Sequence, residues 1–321
     1  MLYKFNKRLE KLMPLITPVS VIIGVLFANF FINFTQLIPW VFAFITFAGS
    51  LGSSFSSFKE TLKHPLPLFI ILIILHILMP VWAWSVGHFA FNGDVETITG
   101  LVLGMAIPTG ISSMIWVTIY RGNIPLTLSI ILLDTFLSPF LVPFTLTILV
   151  GGRVDMDVYS MMSGLFLMVV LPSILGMLVN QMTEGKAKQK LSPKLAPFSK
   201  LGLGVVVMIN GAAVAPYLRE VDSKLLMITV TVFFIAFTGY LFSFGIGKLF
   251  KGDRDTVVAL TFTGGMRNIS AGAVLAVSYF PAAVAVPVVI GMLFQQVLAS
   301  IYGFLVDRHY NRQLTAKTHS A

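Results

Sequence analysis

Long apolar runs separated by short polar breaks fill this chain from residue 12 to residue 306. A helix needs about 20 mostly apolar residues to cross the roughly 30 Å hydrocarbon core of a bilayer. Runs near that length lie at 12–33, 37–56, 66–90, 97–119, 124–150, 158–181, 201–217, 224–248, 256–280 and 283–306. The pattern predicts an all-α integral membrane protein of ten transmembrane helices, one domain over residues 1–321. The second run is the weakest, because Gly49, Ser50, Gly52, Ser53 and Ser54 dilute it.

Two of the runs are interrupted in a way that anchoring does not require. The middle of 256–280 reads Thr263-Gly264-Gly265-Met266-Arg267-Asn268-Ile269-Ser270. An arginine at the centre of a span costs about 2.5–3.5 kcal/mol on the lenient insertion scales. Backbone freed at that depth is tolerated only where protein or a water-filled cavity satisfies it. The run therefore predicts a broken helix lining a polar site. The run at 97–119 carries its own breakers, Pro108-Thr109-Gly110-Ile111-Ser112-Ser113.

The short segment 151–157, GGRVDMD, leaves five runs on either side. Halves with an odd number of spans insert with opposite orientation, so repeat one (about 12–150) and repeat two (about 158–306) predict an inverted five-plus-five repeat. The broken runs are the fourth of each half, and they are expected to cross.

Charge then fixes the orientation. Only 11% of the residues are charged, against about a quarter in soluble domains. Of the 22 Lys and Arg, 18 fall in the termini and even-numbered connections, among them Lys4, Lys7, Arg8, Lys11, Lys59, Lys63, Arg121, Lys248, Lys251, Arg254, Arg312 and Lys317. The other side has Arg153, Arg219 and Lys224. That asymmetry predicts a multi-pass cell-membrane protein with both termini cytoplasmic. It also accounts for the net charge of +9 without nucleic acid. The N-terminal MLYKFNKRLEKLM is read as an uncleaved lead-in. There is no cysteine, which excludes thiol catalysis and Cys-ligated metals. No paired carboxylates, nucleophile–base pair or metal-ligand spacing points to an enzyme, and no cofactor is expected. Gly264-Gly265 lacks the strand and Lys of a phosphate loop.

Asp134 and Arg267 are the two formal charges near the middle of the spans. Each is expensive alone, so pairing is expected, either as a structural ion pair or on the path of substrate or coupling ion. Hydroxyls and amides cluster around the breaks: Thr109, Ser112, Ser113, Thr127, Thr263, Asn268, Ser270, Gln295 and Gln296. Singly, Ser and Thr in such helices often bond only their own i−4 carbonyl. His76, a few residues before Pro80, is read as a satisfied core histidine in preference to a proton relay.

Several segments carry a family resemblance: LKHP at 62–65 with Met79-Pro80, PTGISS at 108–113 followed by Tyr120-Arg121-Gly122-Asn123, Ser138-Pro139 with Pro143, and GGMRN at 264–268. The chain resembles the bile acid:sodium symporter family, its bacterial members in particular. The resemblance implies a core domain (spans three to five and eight to ten) on a panel domain (spans one, two, six and seven), with the fourth and ninth helices unwound and crossing. It implies a small organic anion as substrate, usually carried with sodium. The substrate residues it points to are Thr109, Gly110, Ser112, Asn268, Gln295 and Gln296. The coupling-ion region is Ser113, Thr127, Asp134, Thr263 and Arg267. Relatives commonly read E-x-G-M-Q-N at the second break, and here Thr263 and Arg267 replace the Glu and Gln that help hold sodium. Met114 stands where relatives place Asn, and further sodium-site positions fall on Ile131 and Leu75. The resemblance thus implies a carrier whose sodium site is largely replaced, with sodium or a proton as the candidate coupling ion. A non-transporting sensor or scaffold on a carrier fold is the alternative.

Overall fold

The computed structural model describes residues 2–53, 65–151, 154, 156–250 and 252–319; the side chains of 2–5, 7, 8, 10, 11, 13, 14 and 311–319 are not described. The charges read at Lys59, Lys63, Arg153 and Lys251, the first three residues of LKHP, and the side chains of Lys4, Lys7, Arg8, Lys11, Arg312 and Lys317 lie outside the described residues.

The regular elements are all helical. In chain order they are α1 (Leu2–Leu26), α2 (Ala28–Phe31), a 3₁₀ turn (Ile32–Leu37) and α3 (Ile38–Ser50). Next come α4 (Pro65–Ile73), a π-helical turn (Ile74–Leu78), α5 (Met79–Ala90), α6 (Val95–Ala106), α7 (Ser113–Ile119) and α8 (Ile124–Val150). The second half has α9 (Val158–Leu165), a second π turn (Phe166–Val170), α10 (Leu171–Met182), α11 (Lys186–Lys190), α12 (Ser192–Ala213) and α13 (Ala215–Leu218). It closes with α14 (Ser223–Leu249), α15 (Arg254–Gly265), α16 (Ile269–Tyr279) and α17 (Ala282–His319).

Among the described residues, seven continuous stretches are long and apolar enough to cross a membrane: Ala28–Ser50, Pro65–Ala90, Ile124–Val150, Val158–Met182, Ser192–Ala213, Ser223–Leu249 and Ala282–Tyr310. The remaining three predicted spans are the apolar end of α1 and the two interrupted runs, whose apolar halves are Val95–Ala106 and Ile269–Tyr279. Interruption shortens each half of the last two below a bilayer's thickness. Boundaries moved where charge proved compatible with helix. The seventh run begins at Ser192 rather than 201, and its Lys194 and Lys200 extend the helix past the apolar stretch. The first run ends at Leu26, and a 3₁₀ turn replaces its expected end at 33.

Asx side chains start the helices where the sequence turns. Asp94, Asn123, Asp157, Asp222, Asp253 and Asn268 each accept a hydrogen bond from the backbone N–H three residues on. Such a cap satisfies one of the orphan donors of a first turn.

The helices sort into two groups by packing. α1 lies on α12, α12 on α3, and α3 on α10. In the second group α14 packs on α15, α6 between α5 and α17, α16 on α17, and α8 on α6. α12 touches α16, and α9 touches α8, where the groups meet. Helix α8 shows how one span serves two environments. Phe140, Phe144 and Ile148, one turn apart, are more than 60% exposed, whereas Ile131, Asp134, Ser138 and Val142 are buried. Large apolar side chains exposed in such stripes fit lipid, not water.

Polar contacts at the two ends follow the predicted alternation. Lys200 bonds Asn6, Arg254 bonds the carbonyl of Arg121 and pairs with Asp307, and Lys248 bonds His309. At the other end Lys224 pairs with Asp94 at 2.7 Å and Arg219 bonds the carbonyl of Val25. Residues assigned by sequence to one side contact only residues of that side among these pairs.

Candidate functional site

Helix α6 stops at Ala106 and α15 at Gly265, and the chain that follows each is extended. The two extended pieces meet as an isolated antiparallel bridge between Thr109 and Arg267. Asn268 N–H donates to the Pro108 carbonyl (2.8 Å) and Gly110 N–H to that of Met266 (3.4 Å). The backbone freed by each break is thus satisfied largely by the other break, which is how two interruptions persist where no water need reach them.

Glycines permit this approach. A Cβ on Gly265 would lie 2.2 Å from the ring of Tyr240, and one on Gly264 2.1 Å from Oγ of Ser243. No side chain fits at either place without displacing its neighbour.

In such a bridge Thr109 and Arg267 are the non-hydrogen-bonded pair, so their own N–H groups point outward, away from each other. Each is met by a side chain. Thr109 N–H donates to Oδ2 of Asp134 at 2.6 Å, and Arg267 N–H to Oε1 of Gln295 at 3.1 Å. Behind each acceptor stands a third residue. His76 Nε2 lies 2.6 Å from Oδ1 of Asp134, and the Tyr240 hydroxyl donates to the backbone carbonyl of Gln295 at 3.2 Å. One chain therefore runs His76–Asp134–Thr109 from the π turn and α8. Its counterpart runs Tyr240–Gln295–Arg267 from α14 and α17.

This arrangement corrects the expected pairing of Asp134 with Arg267. Both carboxylate oxygens are taken, one by His76 and one by Thr109 N–H. The Arg267 side chain is 2% exposed, yet its Nε and both terminal nitrogens have no hydrogen-bond partner. It borders a small cavity of about 30 Å³, lined by Gly100, Gly104, Tyr240, Pro287, Gly291 and Gln295 among others. Asp134 acts on the guanidinium through space only.

The other expected residues are placed as follows. Thr109 is 1% exposed and donates its hydroxyl to the carbonyls of Thr263 (2.7 Å) and Met266 (2.9 Å), capping the end of α15. Gly110 is buried against the Arg267 carbonyl, and Ser112 is half-buried beside it. The Ser113 hydroxyl is buried with no partner. Thr127 and Thr263 bond the carbonyls of Asn123 and Ala259, four residues back in each case. Asn268 is half-buried and caps α16. Gln296 does not join the crossing; it accepts from the Trp116 indole at 3.0 Å.

A model of the Sodium Bile acid symporter family matches residues 39–221 of this chain. A Bacillus subtilis protein, "Uncharacterized protein YbaS", is 56% identical over 296 residues, covering 92% of this chain and 97% of its own length. The chain belongs to the Sodium Bile acid symporter family. "Uncharacterized sodium-dependent transporter YocS" of the same organism is 27% identical over 272 residues, 82% of this chain and 83% of that one. The rice protein "Probable sodium/metabolite cotransporter BASS1, chloroplastic" is 29% identical over 208 residues, 64% of this chain and 49% of that one. Membership makes the chain a multi-pass membrane transporter of a small molecule and not an enzyme.

Within this family member, sequence reasoning missed the structural role of two residues. His76 is not a satisfied core histidine: one ring nitrogen holds Asp134 and the other, Nδ1, is buried without a partner. Its position in the π turn was a usable signal only with coordinates, since π turns are rare and gather at functional sites. Tyr240 reads as an ordinary aromatic in a long apolar run, and only Gly265 opposite marks where its ring must lie.

Proposed function

We propose that this family member is a secondary carrier of a small organic anion, of the carboxylate or sulfate class, that works by alternating access. It sits in the cell membrane as ten spans in an inverted five-plus-five repeat, with both termini in the cytoplasm. The observation that carries this reading is the Thr109–Arg267 bridge with its two outward chains. Spans three, four and five supply His76, Thr109 and Asp134; spans eight, nine and ten supply Tyr240, Arg267 and Gln295. Two halves that place corresponding spans around a common crossing are what an inverted repeat requires.

Anion selectivity follows from the charge. A guanidinium offers five N–H donors and no acceptor, and its planar fork matches a carboxylate or sulfate. The start of α16, capped by the half-buried Asn268, adds the positive end of a helix dipole beside it. Substrate would meet Asn268 and Ser112, the half-buried polar residues of the two breaks, with Arg267 as the fixed positive charge behind them.

The same residues do not fit a sodium ion. A hard cation takes several oxygen ligands, carboxylate among them. Thr263 offers a neutral hydroxyl where the resemblance implies a carboxylate, and Arg267 brings a fixed positive charge where it implies a neutral amide. Two like charges about 4 Å apart cost roughly 4 kcal/mol at an effective dielectric of 20, or about a thousandfold in affinity. The guanidinium takes the place of the cation, and sodium dependence is weakened or lost.

The test is uptake of labelled taurocholate and pantoate into proteoliposomes, with sodium replaced by N-methylglucamine in one arm. Uptake in both arms is the expected result. Sodium-driven accumulation would overturn the reading of Arg267 and leave the carrier standing. Absence of exchange for both anions in every arm would overturn the carrier reading for this substrate class.

A further inference from the structure

Asp134 and Arg267 cancel one another as charges without bonding, which makes the arithmetic of loading simple. With the His76 imidazole neutral, the buried set of Asp134, Arg267 and His76 has no net charge. A bound monoanion adds one negative charge that no buried group offsets. A low-dielectric interior penalises such an excess heavily. One proton on His76 restores neutrality. Imidazole is the side chain whose charge ordinarily changes between about pH 5 and 8.

We infer that the His76–Asp134 pair is the proton-coupling site of this carrier, taking up one proton with each monovalent anion. The inference rests on the carrier reading above and adds the identity of the coupling ion. The geometry supplies three requirements. The acceptor exists, because Nε2 is the nitrogen at Asp134 and the other, Nδ1, is buried and unpartnered. A charged form has an ion-pair partner, because a carboxylate oxygen lies 2.6 Å from Nε2. The signal has a path, because Oδ2 of the same carboxylate holds the Thr109 N–H of the crossing. Protonation of His76 draws electron density on Asp134 toward the ring and weakens its hold on Thr109. Both broken helices feel that change, since Thr109 also caps α15.

Few other groups compete. The elements packed on the π turn are α4, α5, α6 and α8. α4 has no titratable residue, α6 has only Glu96, exposed in its first turn, and α8 has only Asp134. α5 has His88, whose Nδ1 bonds the Trp84 carbonyl within its own helix. Beyond Asp134, Arg267 and Tyr240 are the next polar groups at the crossing. Tyr240 is a phenol on the neutral chain and stays uncharged at physiological pH.

The experiment compares exchange with accumulation in proteoliposomes, using taurocholate, whose sulfonate does not cross lipid as a neutral acid. Exchange is measured with equal pH on both sides and excess unlabelled taurocholate inside. Accumulation is measured with the inside one pH unit more alkaline and the membrane potential clamped with potassium and valinomycin. One proton per anion predicts about tenfold accumulation in the parent and none in protein-free liposomes. His76→Gln is expected to keep the parent's melting temperature in detergent, which shows that it is folded, and to lose accumulation. Asp134→Asn keeps an oxygen for the Thr109 N–H and is expected to lose accumulation too. Exchange without pH-driven accumulation in the parent would overturn the inference and leave the carrier reading intact. Undiminished accumulation in His76→Gln would overturn it as well. Loss of exchange in the parent would remove the carrier reading, and this inference with it.

Discussion

Replacing Arg267 by Met is predicted to stabilise the ligand-free protein while removing its response to anion. The guanidinium is 2% exposed with three nitrogens unbonded, and Asp134 is not its hydrogen-bonded partner. Deleting one member of a bonded buried pair is destabilising because the other is left exposed to a poor environment. Here the carboxylate keeps both His76 and the Thr109 N–H, so deletion breaks none of its hydrogen bonds, and on the proposed reading a proton on His76 offsets the negative charge left behind. A buried donor without a partner costs about 1–3 kcal/mol. Met is flexible and apolar, and fills much of the same space against Tyr240 and Pro287. At about 2 °C per kcal/mol for a chain of this size, melting should rise by a few degrees in detergent. Saturating anion tells the opposite story. At a hundred times its Kd a ligand adds about 2.7 kcal/mol to the parent, and this gain should vanish in the variant. Paired melting curves, with and without taurocholate, measure both effects. A lower melting temperature for ligand-free Arg267→Met would refute the reasoning, since it would mean that the guanidinium is held by something worth more than its burial costs.

Other consequences are as direct. Thr109→Cys with Arg267→Cys should form a disulfide on mild oxidation, because Cα atoms of a non-hydrogen-bonded antiparallel pair lie about 4.5 Å apart, within disulfide range. The chain has no cysteine of its own to confuse the gel-shift readout. Gly265→Ala should lose expression and melting stability, because the added methyl would sit 2.2 Å from the Tyr240 ring, and a second change of Tyr240→Leu should restore part of the loss. Asp94 caps α6 and pairs with Lys224 at 2.7 Å. Burial raises its pKa, but the Lys224 and Thr97 hydrogen bonds outweigh this and hold the carboxyl below its usual range. A depressed pKa contributes stability above the unfolded value, about 3.9, that is lost as pH falls through the folded one. Asp94→Ala should therefore cost about 1 kcal/mol at neutral pH, and the gap between variant and parent melting should close below pH 4.

Much of the fold could be read in the chain because a bilayer punishes every exception. Apolar length gave seven spans among the described residues, and Pro108 and Gly264-Gly265 marked two breaks that do meet in space. Boundaries were less readable where helices continue past the apolar stretch, as α12 does through Lys194 and Lys200. The site was read less well, for a geometric reason. Two opposite charges near mid-span suggest a pair, but pairing depends on which face of its helix each side chain occupies. The bridge sends the outward N–H of Thr109 one way and that of Arg267 the other, so Asp134 and Arg267 serve opposite sides of the crossing. His76 was set aside because a lone histidine in an apolar run has a simpler explanation. Only the distance from Nε2 to Asp134, and the lack of a hydrogen-bond partner at the buried Nδ1, remove that explanation.

The two outward chains each hold one backbone N–H of the bridge with a side-chain oxygen, but by different chemistries, and this difference bears on the proposed carrier cycle. On the Gln295 side an amide oxygen holds the Arg267 N–H, and a phenol holds the Gln295 backbone carbonyl. Neither changes charge near neutral pH, so that half keeps its hydrogen bonds throughout a cycle. On the Asp134 side an acid and a base hold the Thr109 backbone, and their bond depends on protonation. Were both chains neutral, substrate charge alone would have to supply all the differential free energy between outward-open and inward-open states, and a ligand bound equally by both supplies none. Were both titratable, two buried protons would have to move for every anion, each at its own desolvation cost. One fixed half and one titratable half give a crossing that is rigid on one side and adjustable on the other. On the proposed reading, a fixed cation at Arg267 sets what can bind, and His76 with Asp134 sets when the crossing yields.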